Sequence, residues 1–291
     1  PKTWSIGRVE AGQQVEVRDP DIAIDADYLE RLDEAVRGTM SFRLCKDDQV
    51  LAETMHPVRV LARDEWGGMH SMGELLPAFV TPNDPAIAPL LKAAAEALDR
   101  HGHPTALDGY QSGDPNRAYM LAAALWSAVA ARSLTYASPP SSFEQVGQKT
   151  RRVGTVLGDG LATCLDTTLL FASGLEAMGL NPVLVMQDGH CFAGVWLVEK
   201  TLQRRSEPDG SEVREAIAAS ELIVFETTLV THRPAAEFGE AVAGGRAALD
   251  PSREDLFVAA IDVARARMAQ ILPLASHAER KAGEPHEATQ L

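Results

Sequence analysis

Cysteine and positive charge are both scarce in this chain, and each shortage removes a class of protein. The three cysteines, Cys45, Cys164 and Cys191, are odd in number and widely spaced. They do not make a disulfide scaffold and fit a reducing, cytoplasmic setting. Lysine and arginine number 27 against 41 aspartates and glutamates, a net charge of −14. A segment with that balance is not expected to hold nucleic acid by itself, because phosphate binding needs concentrated cations. No apolar run approaches the roughly 18–20 residues of a membrane span. The opening PKTWSIGRVEAGQQV has no apolar signal-peptide core, and a start at Pro1 suggests a segment of something longer. What is present is ordinary globular composition, 45% hydrophobic and 23% charged with mean hydropathy −0.10. The 291 residues suit two domains at roughly 150 residues each.

Residues 1–63 read as short strands separated by Gly, Asp or Pro: SIGRVEA, QQVEVRD, TMSFRLC and PVRVLA, with helical turns in YLERLDEAV (28–36). That is the pattern of a partial β-sandwich. Residues 64–84 carry the turn residues of a crossover linker, with Trp66 its expected anchor. An α+β domain is expected over 85–272, followed by a polar tail over 273–291 with little to bury. Its first helices are predicted at about 86–101 and from Asp114, an N-cap followed by Pro115 at the first helical position. Its last are expected from EFGEAVAGGRAALD and REDLFVAAIDVARARMAQ, an amphipathic pair docking on the sheet.

The stretch 158–228 carries chemistry. Thr163 and Asp166 form a capping-box pattern, the apolar spacing from Leu165 to Leu175 is helical, and Gly179 ends the helix. Cys164 therefore stands at the first helical position, where unpaired N–H groups and the dipole favour a thiolate. Asp188–Gly189 between PVLVMQ and HCFAGVWLV predicts a hairpin that puts His190 at the start of its second strand. A further strand, LIVFE, ends on Glu226. Nucleophile, base and orienting acid thus occur in order on successive elements. Each alone has a plainer reading: a buried apolar thiol, a histidine on a hairpin carbonyl, a solvated strand-end charge. The ordered trio is what favours catalysis.

Cys191 is expected to face away from His190 and to be core, since successive strand residues alternate; Cys45 is expected to be structural. His101 and His103 read as helix-end histidines. No Cys or carboxylate ligands stand beside them at metal spacing, so neither metal nor cofactor is expected. Lys149, Arg151 and Arg152 read as a solvated basic loop.

A helix-start Cys, a strand His in GHCF (189–192) and a strand acid in FETT (225–228) resemble the transglutaminase-like superfamily of papain-fold cysteine enzymes, with Glu226 where aspartate is usual. DEWGG (64–68), AFVTPNDPAI (78–87), GYQSGDP (109–115) and PPSSFEQVGQKTR (139–151) extend the likeness. The chain resembles the N-terminal β-sandwich and transglutaminase-like region of large bacterial multidomain proteins that also carry a superfamily 1 helicase and often a nuclease domain. The resemblance implies acyl transfer on a protein or peptide, with Cys164 as nucleophile, His190 as base and Glu226 as orienting carboxylate, in a DNA-processing or phage-defence protein. Gln148 is an oxyanion candidate by the same likeness, or a structural amide. No Walker A sequence is present, so a helicase would lie beyond Leu291. The alternative is a catalytically inactive interaction or regulatory module for such neighbours.

Overall fold

Residues 2–18, 28–29, 31–47 and 49–274 are described by a computed structural model, in which the chain divides into two units, Pro1–Glu65 and Trp66–Leu291. In the first, β1 (Val36–Lys46) and β2 (Gln49–Val60) form an antiparallel hairpin with a bulge at Leu44/Cys45. SIGRVEA and the described part of QQVEVRD, expected as strands, lie in none. Their charges pair locally instead, Arg8 with Glu10 and Arg18 with Glu16, both exposed. They offer no continuous apolar face to bury, and lone extended segments are not stable. The turns expected at 28–36 and the tail after residue 274 fall partly or wholly outside the described residues.

The second unit is α+β, built on a five-stranded antiparallel sheet. In chain order its main elements are α1 (Ile87–Arg100), α2 (Pro115–Ala130), β3 (Thr135–Tyr136), β4 (Leu161–Ala162), α3 (Cys164–Ala177), β5 (Pro182–Gln187), β6 (His190–Trp196) and β7 (Ser206–Glu207). Then come α4 (Gly210–Ala218), β8 (Leu222–Phe225), α5 (Phe238–Ala248), β9 (Phe257–Asp262) and α6 (Val263–Met268). The sheet order is β8-β6-β5-β9-β7. Alternation along β5 sorts its side chains: Leu184 and Met186 pack with Leu165 and Leu169 of α3, while Val183 and Val185 pack with Val213 and Leu249 on the other face. Helix α3 lies between the sheet and α1–α2, so every residue from Cys164 to Leu175 is buried. Gly174 makes the α2–α3 approach possible: a Cβ there would lie 2.7 Å from the Leu125 side chain.

Two expectations change. FVAAID, expected in a helix, is strand β9 at the sheet's interior, pairing with β5 and β7. A short continuous apolar run fits a strand buried on both faces as well as a helix, and the two sheet neighbours decide. Before it, Pro251–Leu256 forms a 3-10 helix, and beyond it VARARM is α-helical. Residues 66–84 also do more than connect. They form helical turns at Met69–Met72 and Gly73–Phe79 and bury Leu76 and Val80. Trp66 is fully buried, donates Nε1–H to Met72 O at 3.0 Å, and packs with Phe143 and Leu165.

Candidate active site

The N-terminus of α3 is fixed by its own sequence. Asp166 N–H donates to Thr163 Oγ1 (3.2 Å) and Thr163 N–H to Asp166 Oδ2 (2.9 Å), the two halves of a capping box. Arg151 closes on the same carboxylate through Nη1 and its backbone N–H, both at 2.7 Å. It is therefore a brace for the helix start, not a loop charge in solvent. At the other end, N–H groups of Gly179 and Leu180 return to Glu176 O and Leu175 O at 2.9 and 3.0 Å, with Gly179 at φ +79° as a left-handed cap requires.

This frame presents Cys164 to the hairpin. Gln187 and His190 face each other across the Asp188–Gly189 turn, and β8 runs beside β6 so that Glu226 follows directly on Phe225, the partner of Ala193. His190 Nε2 meets Glu226 Oε2 at 2.6 Å. The second carboxylate oxygen accepts from Thr228 N–H (3.0 Å) and Thr228 Oγ1–H (2.7 Å). With Nε2 so occupied, Nδ1 is the nitrogen left for Cys164, and the two groups act on each other's charge. Cys164, His190 and Glu226 are thus brought together.

The charges follow from these contacts. A hydrogen bond from Cys191 is the largest influence on Cys164; burial opposes it, and the His190 bond and charge with the Cys191 N–H complete the fall to about 5. For His190, burial would lower the pKa, but hydrogen bonds to Cys164 and Glu226 and both negative charges raise it to about 10. Burial likewise pushes Glu226 up, and His190 and Thr228 outweigh it, leaving the carboxyl below its ordinary value. Between these limits the pair is a thiolate and an imidazolium.

Gln148 is buried and donates Nε2–H to Thr163 Oγ1 at 3.3 Å, one residue before Cys164. Cys191 is core, as expected. It is fully buried in the cluster that holds Leu165 and Leu169, on the α3 side of the sheet, and its thiol and N–H both reach Cys164. The His190 ring lies 6.2 Å from that of Phe192, which belongs to the cluster on the other face, so the alternation along β6 holds. Burial and the Cys164 sulfur hold the Cys191 thiol well above its ordinary value.

Tyr136 was not singled out by sequence. Its short strand runs parallel to β4, with Tyr136 opposite Ala162, and this brings its side chain near the Cys164 sulfur. Burial first, then that sulfur, raise the phenol above its ordinary value. Glu144, also unanticipated, is buried and accepts from Gly189 N–H at 3.2 Å, tying the 139–150 loop to the turn before His190. Among the described residues no group of three or more His, Cys, Asp or Glu is placed to hold a metal ion, and no helix is long and apolar enough to cross a membrane. His101 caps α1, its Nδ1 2.8 Å from Ala97 O.

Compared with family models, curated proteins and solved structures, the chain matches none of them.

Proposed function

We propose that this chain is a cysteine-dependent acyl-transfer enzyme with a transglutaminase-like, papain-type core, a peptidase or amidase rather than a cross-linking enzyme. The observation that carries this reading is the continuous relay Thr228–Glu226–His190–Cys164, in which each group has the partner its role requires. The thiolate would add to an amide carbonyl, and the His190 proton would pass to the leaving amine. Water, deprotonated by His190, would then release the acyl group. The Cys164 N–H has no intrahelical acceptor at the first helical position, so it and the Gln148 amide are the oxyanion donors of this scheme. Protein or peptide amides are its substrate class. The resemblance described above supports a module of a larger bacterial helicase–nuclease protein, with no nucleic acid bound by this segment.

One observation favours a second reading. The Cys164 residue has 0% exposure and has the Tyr136 side chain near its sulfur, as suits an inactive interaction or regulatory module. Iodoacetamide labelling against pH, read at each cysteine by mass spectrometry in wild type and His190→Ala, separates the two. The enzyme reading expects Cys164 to label much faster than Cys45 and Cys191 below about pH 7, and the advantage to vanish without His190. A Cys164 that titrates as an ordinary thiol near about 8.5, or never labels in the native protein, moves the function to the module.

A further inference from the structure

We propose that Cys164 and Cys191 are a hydroperoxide-sensitive dithiol, in which Cys164 is oxidised and Cys191 resolves it as a reversible intramolecular disulfide. The acyl-transfer scheme gives Cys191 no step, yet one hydroxyl bridges it to Cys164: Thr168 Oγ1 donates to Cys164 O at 2.8 Å and lies 3.7 Å from the Cys191 sulfur. Both residues belong to one buried cluster between α3 and the sheet. The third cysteine, Cys45, is exposed in the first unit. A hydroperoxide is small, and one half-exposed side chain, Tyr136 at 40%, stands on the Cys164 sulfur.

In the first step the Cys164 thiolate attacks one peroxide oxygen and the O–O bond breaks. The leaving oxygen takes a proton from the His190 imidazolium and departs as water or an alcohol, leaving a sulfenic acid on Cys164. In the second, the Cys191 sulfur attacks the Cys164 sulfur, the S–O bond breaks, and hydroxide leaves as water with the Cys191 proton. The sum is a two-electron oxidation of two thiols and reduction of one peroxide. A small dithiol returns two electrons and two protons. Forming the bond requires the two sulfurs, neighbours in one buried cluster, to close to about 2.0 Å. If Cys164 is the acyl nucleophile, the disulfide switches that activity off; this consequence rests on the proposed function, the disulfide itself does not.

The test is intact-mass and peptide analysis of the full chain after hydrogen peroxide, denatured in N-ethylmaleimide. The expected result is a loss of about 2 Da, a peptide pair linking Cys164 to Cys191, an alkylated Cys45 and reversal by dithiothreitol. In Cys191→Ser the loss disappears and Cys164 gains about 32 Da as the sulfinic acid. The proposal is overturned if wild-type Cys164 gains oxygen while Cys191 stays alkylated, or if the only disulfides formed join Cys45 between chains. Should the variant fail to fold, the wild-type linkage decides alone. A disulfide formed by a protein whose Cys164 shows no His190-dependent labelling would remove the acyl-transfer reading and leave the dithiol standing.

Discussion

Glu226 reaches His190 with a side chain one methylene longer than aspartate, and the 2.6 Å contact depends on that length. In Glu226→Asp the carboxylate withdraws by about one C–C bond, roughly 1.5 Å, out of hydrogen-bond range. The family-like residue is therefore expected to perform worse here: the pKa for Cys164 labelling should climb from about 5, each unit costing about tenfold in thiolate on the acid side. An unchanged labelling profile in this variant would show that the carboxylate does not sustain the pair. The sign on each side of neutrality follows from the same groups. The Cys164 pKa falls from 9.0 to about 5 on folding, so its stabilisation is fully present above 9.0 and lost as pH drops through about 5. The His190 pKa rises from 6.5 to about 10, so its stabilisation is full below 6.5 and lost as pH climbs through about 10. The mutual attraction of the two groups exists only while Cys164 is a thiolate and His190 an imidazolium, so urea titrations of wild type against His190→Ala should diverge most between about pH 5 and about pH 10. Cys164, His190 and Glu226 were legible because caps, a turn signal and strand ends are local patterns, whereas Gln148 came only from the resemblance, with a structural amide as its other reading. Tyr136 was not, since it arrives through a two-residue pairing with 161–162 that no local periodicity encodes. Cys191 was read correctly as core, but its closeness to Cys164 was not legible, because which residues of α3 and β6 meet is decided by tertiary packing.

At the scale of elements, α3 carries the site and its ends were written plainly in sequence. Thr163→Ala removes the side-chain acceptor for Asp166 N–H and the partner of Gln148. A loss of about 1 kcal/mol in urea unfolding is expected from the cap, together with a slower-labelling Cys164 as the first turn loosens. Gly174→Ala sets two effects against each other. Alanine is favoured in a helix by about 1 kcal/mol, but its Cβ would sit 2.7 Å from a Leu125 side chain that is itself fully buried. Overpacking of a closed core costs about 1–3 kcal/mol, so steric cost wins and the variant should unfold at lower urea than wild type; a rise in the midpoint would mean that Leu125 can yield. The misread element shows where local pattern stops. FVAAID has a helical segment after it and an apolar run within it, and only its place between β5 and β7 makes it a strand. Residues 2–18 fail in the opposite direction, alternating in composition but without a sheet to join.

For the whole molecule, the division at Glu65/Trp66 separates very different amounts of core. The three buried clusters, with Cys164, His190, Glu226, Gln148, Tyr136 and Cys191, draw their members from Trp66 onward. The β1–β2 hairpin, by contrast, leaves Phe42, Leu44, Val50, Leu51 and Met55 exposed. A two-stranded hairpin without a covered face is marginal in water, whereas a unit of about 200 residues buries enough surface to fold alone. A chain of residues 66–274 is accordingly expected to unfold cooperatively in urea and to label at Cys164 with the pH profile of the full protein. A peptide of residues 31–65 should show no stable strand signal by circular dichroism. If the shortened chain aggregates or loses the acid-side reactivity of Cys164, the second unit does not stand on its own burial. The first unit would then have to be counted among the supports of the site, although none of the groups that shape its charge comes from there.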